Sequence, residues 1–298
     1  LGGIHRSKRI IIAGDEHQMG PSSYFKKGGS EPMDLLHQSS YHYKKCSLKH
    51  HYRSTHPDLI RFSNQHFYKG ELKAFPGFDS GNRQAIQHHF IKDGRFINRR
   101  NEIEADAVVK HVSNLLKSNR SLGIVAFSEE QLTCIWERLT AMQQSKLTEH
   151  IEMYGGFFKA LENVQGDECD QLVICFGYGQ NEEAAFHMRF GPMGTSNGRQ
   201  RLNVLLTRAM YSIDFFCSIR SSQFKLSDNE SINLLRQWIT FSENYSSAGT
   251  PSFPFELAPE IDGKKLTFSR IQETLPDSVE LVTLQSTLEN RGWEVCYD

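Results

Sequence analysis

The residues best suited to chemistry in this chain are arginines and acid–amide pairs that flank apolar segments. The stretch Gly198-Arg199-Gln200-Arg201-Leu202-Asn203-Val204-Leu205-Leu206-Thr207-Arg208-Ala209 is the most informative. On a helix this spacing brings Asn203, Leu206 and Ala209 near one another and sets Arg201, Leu205 and Arg208 on a neighbouring face. Two planar guanidinium forks on one face suit recognition of an anion. The plainer alternative is a solvated helix with charged ends.

Three further segments carry compatible chemistry. In Ile12-Ala13-Gly14-Asp15-Glu16-His17-Gln18 an apolar run delivers a carboxylate and, three residues later, an amide. Asp15 is of a type to accept a hydrogen bond from a metal-bound water, and Gln18 to bond a phosphate oxygen or position water. Arg53 lies in a polar loop before an expected helix, where it can be aimed at a phosphate or serve only in a surface ion pair. In Val164-Gln165-Gly166-Asp167-Glu168-Cys169-Asp170, Gly166 permits a tight turn that presents Gln165, Glu168 and Asp170. Glu168 there can hold a ribose hydroxyl or orient a water. His50, His51 and His56 fit no usual zinc spacing, so no metal site is expected. The chain contains neither Gly-x-x-x-x-Gly-Lys-Ser/Thr nor Gly-x-Gly-x-x-Gly, so these arginines would serve a phosphate cradle that it lacks.

The elements that must position these groups are legible as alternating strands and helices. Apolar runs predict strands over 8–13, 86–91, 122–127, 172–176 and 212–218, the second weakened by two histidines. Helices are expected over 58–67 after Pro57, over 102–117, and from Ser128 to about Met142, with Ser128 and Gln131 as a capping box. This order implies an α/β fold: a parallel sheet with helices on both faces. Ligands of such sheets sit beyond the carboxyl ends of the strands, which places Gly14-Asp15 and Ser128 at the expected ligand edge. The pattern weakens from about Ser221 to Lys265, and a helix then a strand are expected within 279–298.

Composition narrows the partners. The 298 residues are 38% hydrophobic, enough for one large or two smaller domains. The formal net charge of −1 excludes a global basic field, so any nucleic-acid contact must be local. The six cysteines form no Cys-x-x-Cys pair, which points to reduced thiols and a cytoplasmic setting. No apolar run of membrane-spanning length occurs, and no membrane partner is expected. A start at Leu1 and an end inside a strand-like run suggest a piece of a longer protein.

The order of these segments resembles superfamily 1 helicases, in the branch related to the nonsense-mediated-decay RNA helicase. Gly14-Asp15-Glu16-His17-Gln18 with Pro21 looks like motif III, and Tyr52-Arg53-Ser54 with His56 like motif IV. Val164 to Glu168 resembles motif V, and Arg201-Leu202-Asn203-Val204 with Thr207-Arg208-Ala209 motif VI. Leu161 to Asp170, Tyr178-Gly179 and Phe190-Gly191-Pro192 are closer still to the large bacterial helicase-related proteins of the DUF4011 family. There a restriction-endonuclease-like domain often follows the motor, and Gly292-Trp293-Glu294-Val295 is similar to its first strand.

The resemblance implies a RecA-like P-loop NTPase fold. Residues 1–21 would end a first RecA-like domain, 22–225 would form the second, 226–270 a linker, and 271–298 the start of the nuclease-like domain. It also implies ATP and Mg2+ as cofactors, with the Mg2+ ligands mostly in an absent first domain. Gln18, Arg53 and Arg208 would be catalytic, the arginines as fingers. Asp15, Gln165, Gly166, Glu168 and Arg201 would serve the nucleotide site or its supporting loops. The expected partners are that first domain and single-stranded nucleic acid, DNA rather than RNA. An RNA helicase of the same branch and a non-enzymatic nucleic-acid-binding module are the competing readings.

Overall fold

Apolar runs bounded by polar turns become the strands of one parallel sheet, as the pattern predicts. The computed structural model describes residues 6–20, 35–74, 84–195 and 197–248, and two short strands at 265–267 and 294–296. Residues 1–256 form one unit and 257–298 another. The first unit contains the short strands β1 (His50–His51) and β2 (Lys73–Ala74) and the main strands β3 (Ile86–Phe90), β4 (Leu122–Ala126), β5 (Gly156–Ala160), β6 (Cys169–Cys175) and β7 (Ala209–Cys217). The main sheet runs β3-β7-β6-β4-β5, and every neighbouring pair is parallel. Its helices are α1 (Leu35–Ser40), α2 (Asp58–Phe67), α3 (Glu102–Leu115), α4 (Glu129–Arg138), α5 (Ala141–Tyr154), α6 (Gly198–Leu206) and α7 (Glu230–Ala248).

Both faces of the sheet are covered, so β4 and much of β6 are apolar without alternation. On one face Phe62 of α2, Leu202 and Leu205 of α6, and Trp238 and Phe241 of α7 pack on Val125, Ile174 and Phe215. On the other, Val108 and Val112 of α3, Ile135 of α4 and Leu147 of α5 pack on Ile124, Val173 and Phe216. Among the described residues no helix is long and apolar enough to cross a membrane.

Four expectations are corrected. Residues 8–13 join no sheet, and Ile11 is almost fully exposed, because an apolar run becomes a strand only beside a ladder partner. The helix opening at Ser128 stops at Arg138, and α5 starts afresh after Thr140, whose side chain forms a reciprocal capping box with Gln143. Ser128 does cap α4 by accepting from Gln131 N, but the Gln131 side chain turns to the Asn101 backbone instead. Residues 230–248, expected within a linker, form α7 and bury Trp238, Ile239 and Phe241 in the core. In the second unit, β8 (Lys265–Thr267) pairs in parallel with β9 (Glu294–Cys296). The helix expected near 279–290 lies outside the described residues.

The carboxyl edge of the sheet is closed by a buried polar knot rather than opened as a ligand cleft. Glu104, fully buried in α3, accepts from Gly177 N at 2.6 Å, Ser218 Oγ at 2.7 Å, Cys175 Sγ at 3.2 Å and Asn101 Nδ2 at 3.3 Å. Burial raises its carboxyl to about 7, and these donors offset only part of that cost.

Two measurements test this packing. Trp238→Ala should cost about 3–5 kcal/mol of stability in urea unfolding; a loss under about 1 kcal/mol would put α7 outside the cooperative core. A raised carboxyl pKa gives stability that is fully present below its unfolded value of 4.5 and is lost as pH rises through about 7. Between pH 5 and 8 the wild type should therefore lose stability relative to Glu104→Gln, by about 3 kcal/mol at most. Parallel pH profiles for the two proteins would show that Glu104 ionises normally.

Candidate nucleotide-facing site

Arg208 is built into the junction between α6 and β7. Helix α6 ends at Leu206, so Arg208 lies past its last turn rather than on a shared face with Arg201, contrary to the helical spacing expected. Its side chain folds back and caps carbonyls that a helix end leaves unpaired. Nε donates to Val204 O at 2.8 Å, Nη1 to Asp167 O at 2.9 Å and Nη2 to Thr207 Oγ1 at 3.1 Å. The residue is 2% exposed. Burial, and then the charge of Arg53 beside it, hold its guanidinium below the ordinary arginine value.

Arg53 reaches the same place from a distant part of the chain. Its loop runs between β1 and α2. Thr55 fastens that loop to the start of β7, donating through N at 2.8 Å and Oγ1 at 2.7 Å to Met210 O. The loop is also closed on itself, because His51 Nε2 accepts from Ser54 N at 3.2 Å. Burial and then Arg53 push the His51 imidazole down to about 4, which keeps it neutral in this acceptor role. The Arg53 guanidinium lies 3.4 Å from Glu168 Oε2 and donates to Thr207 O at 3.4 Å. Both partners in the Arg53–Glu168 pair are substantially exposed, 39% and 55%, so their attraction is weak and readily exchanged.

The turn carrying Glu168 is set by Gly166, whose φ of +88° lies in the left-handed region, and by Lys159, whose Nζ pairs with Asp167 Oδ2 at 2.7 Å. Residues 15–19 dock beside this turn. Asp15 Oδ2 accepts from Tyr68 OH at 2.6 Å and from Gln18 Nε2 at 3.0 Å, so Gln18 is turned onto Asp15. Asn203 Nδ2 donates to His17 O at 2.9 Å, and Gln165 Nε2 to Met19 O at 2.8 Å.

The structure thus brings Arg53, Glu168 and Arg208 together, with Asp15, Gln18 and Gln165 fastened along the adjoining segment. Arg201 is committed elsewhere: Nε donates to Glu162 Oε1 at 2.6 Å and Nη1 to Thr195 Oγ1 at 2.8 Å. Arg199 pairs with Glu230 and lies over the Phe67 ring, joining α6 to α7 and α2. The cluster stands at the amino ends of β6 and β7, not at the carboxyl edge expected for a ligand. Residues 168 and 208 immediately precede those strands. The rule for carboxyl edges describes a sheet that binds its own ligand there, and here that edge is filled by the Glu104 contacts. Tyr68, Thr207 and Lys159 belong to this arrangement; Tyr68 and Thr207 fall inside segments of the helicase resemblance without a role of their own, and Lys159 carries no local sequence signal, since its role arises only from its contact with Asp167.

Comparison with known proteins agrees with this architecture. Residues 32–220 match the AAA domain family AAA_12. Over 269 residues, 80% of its length, the chain is 31% identical to an uncharacterized ATP-dependent helicase of Mycoplasma genitalium. Over 282 residues, 85% of its length, it is 29% identical to a homologous uncharacterized ATP-dependent helicase of Mycoplasma pneumoniae. It spans about a quarter of the length of each relative, 24% and 25%. With its five-stranded parallel sheet covered by helices on both faces, this chain belongs to the AAA domain family.

Proposed function

We propose that this chain forms the arginine-bearing motor half of an ATP-dependent DNA helicase or translocase of superfamily 1, close to the DUF4011 proteins. The observation that carries this reading is the meeting of Arg53 and Arg208 at the Asp167–Glu168 turn. Two adjacent guanidiniums, one desolvated, create local demand for an anion. The weak Arg53–Glu168 pair leaves Arg53 easily transferred to a more highly charged partner such as a triphosphate.

In this reading the phosphate cradle and the Mg2+ ligands come from another RecA-like domain, because this sequence contains no Walker A segment. Bound ATP with Mg2+ supplies the free energy of phosphoryl transfer. Arg53 and Arg208 neutralise charge that develops on the transferring group, a contribution worth about 10³–10⁵ in rate for an arginine so placed. Gln18 leaves Asp15 to face the γ-phosphate, Glu168 takes a nucleotide hydroxyl once Arg53 departs, and Arg201 holds the first half of α6 in place through Glu162 and Thr195. Because the arginines and the cradle belong to different domains, turnover requires closure, and closure and reopening move a single strand across both domains. The parallel pairing of β8 with β9 supports an α/β domain after the motor, since parallel neighbours need a crossover of a dozen residues or more.

In a protein carrying both RecA-like halves, Arg53→Ala should lower the ATP turnover number by about 10³-fold or more, with ATP affinity changed only a few-fold. Arg208→Lys should do the same while keeping the fold. The 298-residue chain alone should show no ATPase activity with or without single-stranded DNA. Near-wild-type turnover in Arg53→Ala would remove the finger assignment. Stimulation by single-stranded RNA but not DNA would assign the protein to the RNA branch.

A further inference from the structure

A second constellation lies away from the arginine cluster, on the sheet face covered by α3. Asp214, in the middle of β7, is completely buried. His89 of β3 sits on the adjoining strand, two positions from the residue paired with Asp214, and so projects to the same face. His111 comes down from α3 above them. His89 Nε2 lies 2.8 Å and His111 Nε2 3.2 Å from the same oxygen, Asp214 Oδ1. The ligand-capable atoms of all three residues fall within 4.8 Å of one another. Both imidazoles contact Phe216, His89 stacked at 4.3 Å and His111 edge-on at 5.4 Å.

We infer that His89, His111 and Asp214 form a binding site for one divalent transition-metal ion, with Zn2+ the best match. The ligand set is two imidazoles and one carboxylate, which suits zinc-like metals rather than Mg2+ or Ca2+. A tetrahedral ion roughly 2.0–2.1 Å from each donor separates those donors by roughly 3.4 Å. To reach this, the His111–Asp214 separation of 3.2 Å must widen by about 0.2 Å and the His89–Asp214 separation of 2.8 Å by about 0.6 Å. All three donors stand on a strand or a helix, so little order must be imposed on binding.

Two features set the cluster apart from an ordinary buried ion pair. First, His111 Nε2 is buried and makes no hydrogen bond, although Asp214 Oδ1 is close by. A nitrogen off the hydrogen-bond direction but at ligand-to-ligand spacing gains a partner when an ion enters. Second, His89 and His111, though not the buried Asp214, line a pocket of about 480 Å³ together with Lys110 and Asn114. Three protein ligands beside an accessible pocket leave a fourth position for an exchangeable water, the arrangement of open rather than closed zinc sites.

Zn2+ titration of the metal-free 298-residue chain by calorimetry, and Co2+ titration followed by visible absorption, test the assignment. The expected result is one ion per chain with a Kd of about 1 µM or tighter, and a Co2+ spectrum typical of four-coordinate nitrogen and oxygen ligation. His89→Ala and His111→Ala should each weaken binding by about 100-fold or more, while His187→Ala, at an exposed position, leaves it unchanged. Circular dichroism establishes that each variant is folded. Failure of the wild type to bind a stoichiometric ion would overturn the proposal whatever the variants do. So would undiminished binding in a folded His89→Ala/His111→Ala protein.

Discussion

A guanidinium removed from water must find acceptors for its donors, and the placement of Arg208 is the constraint around which this domain is arranged. Its acceptors come from the last turn of α6, from Thr207 and from the Asp167 carbonyl. That single side chain therefore ties the end of a helix to the turn before β6 and the start of β7. Arg53 then sits against the same turn, with Thr55 locking its loop to Met210. The repulsion between the two cations is offset in part by the acidic Asp167 and Glu168 beside them.

The two edges of the sheet divide the polar work. At the carboxyl edge Glu104 collects four donors and closes the structure. At the amino edge of β6 and β7 the two cations differ: Arg53 is part-exposed and loosely paired, whereas Arg208 is buried and held by three hydrogen bonds.

Much of this was legible from residues alone, where the physics is local. Continuous apolar runs such as Leu172 to Phe176 mark strands buried on both faces, and Ser128 marks a helix start. The convergence of Arg53, Glu168 and Arg208 was legible only through the order of motifs, since nothing local says that distant loops meet. Helix α7 is hidden because serine and asparagine dilute its apolar stripe, although Ile232, Leu235 and Ile239 keep helical spacing. Residues 8–13 mislead in the opposite sense, because an apolar run says nothing about whether a neighbouring strand exists. The two histidines of β3 weaken a strand pattern while each finds a partner far along the chain: His88 meets Ser242 and His89 meets Asp214.

The docking of residues 15–19 has a mechanical consequence. His17 O is held by Asn203, whose own carbonyl accepts from Thr207 Oγ1 at 2.9 Å, and that hydroxyl in turn accepts from Arg208 Nη2. These bonds make an unbroken train from a surface turn to a buried cation. A displacement of the turn therefore reaches the final coil of α6 and the guanidinium beyond it, as well as Tyr68 and Gln165, which grip the same segment.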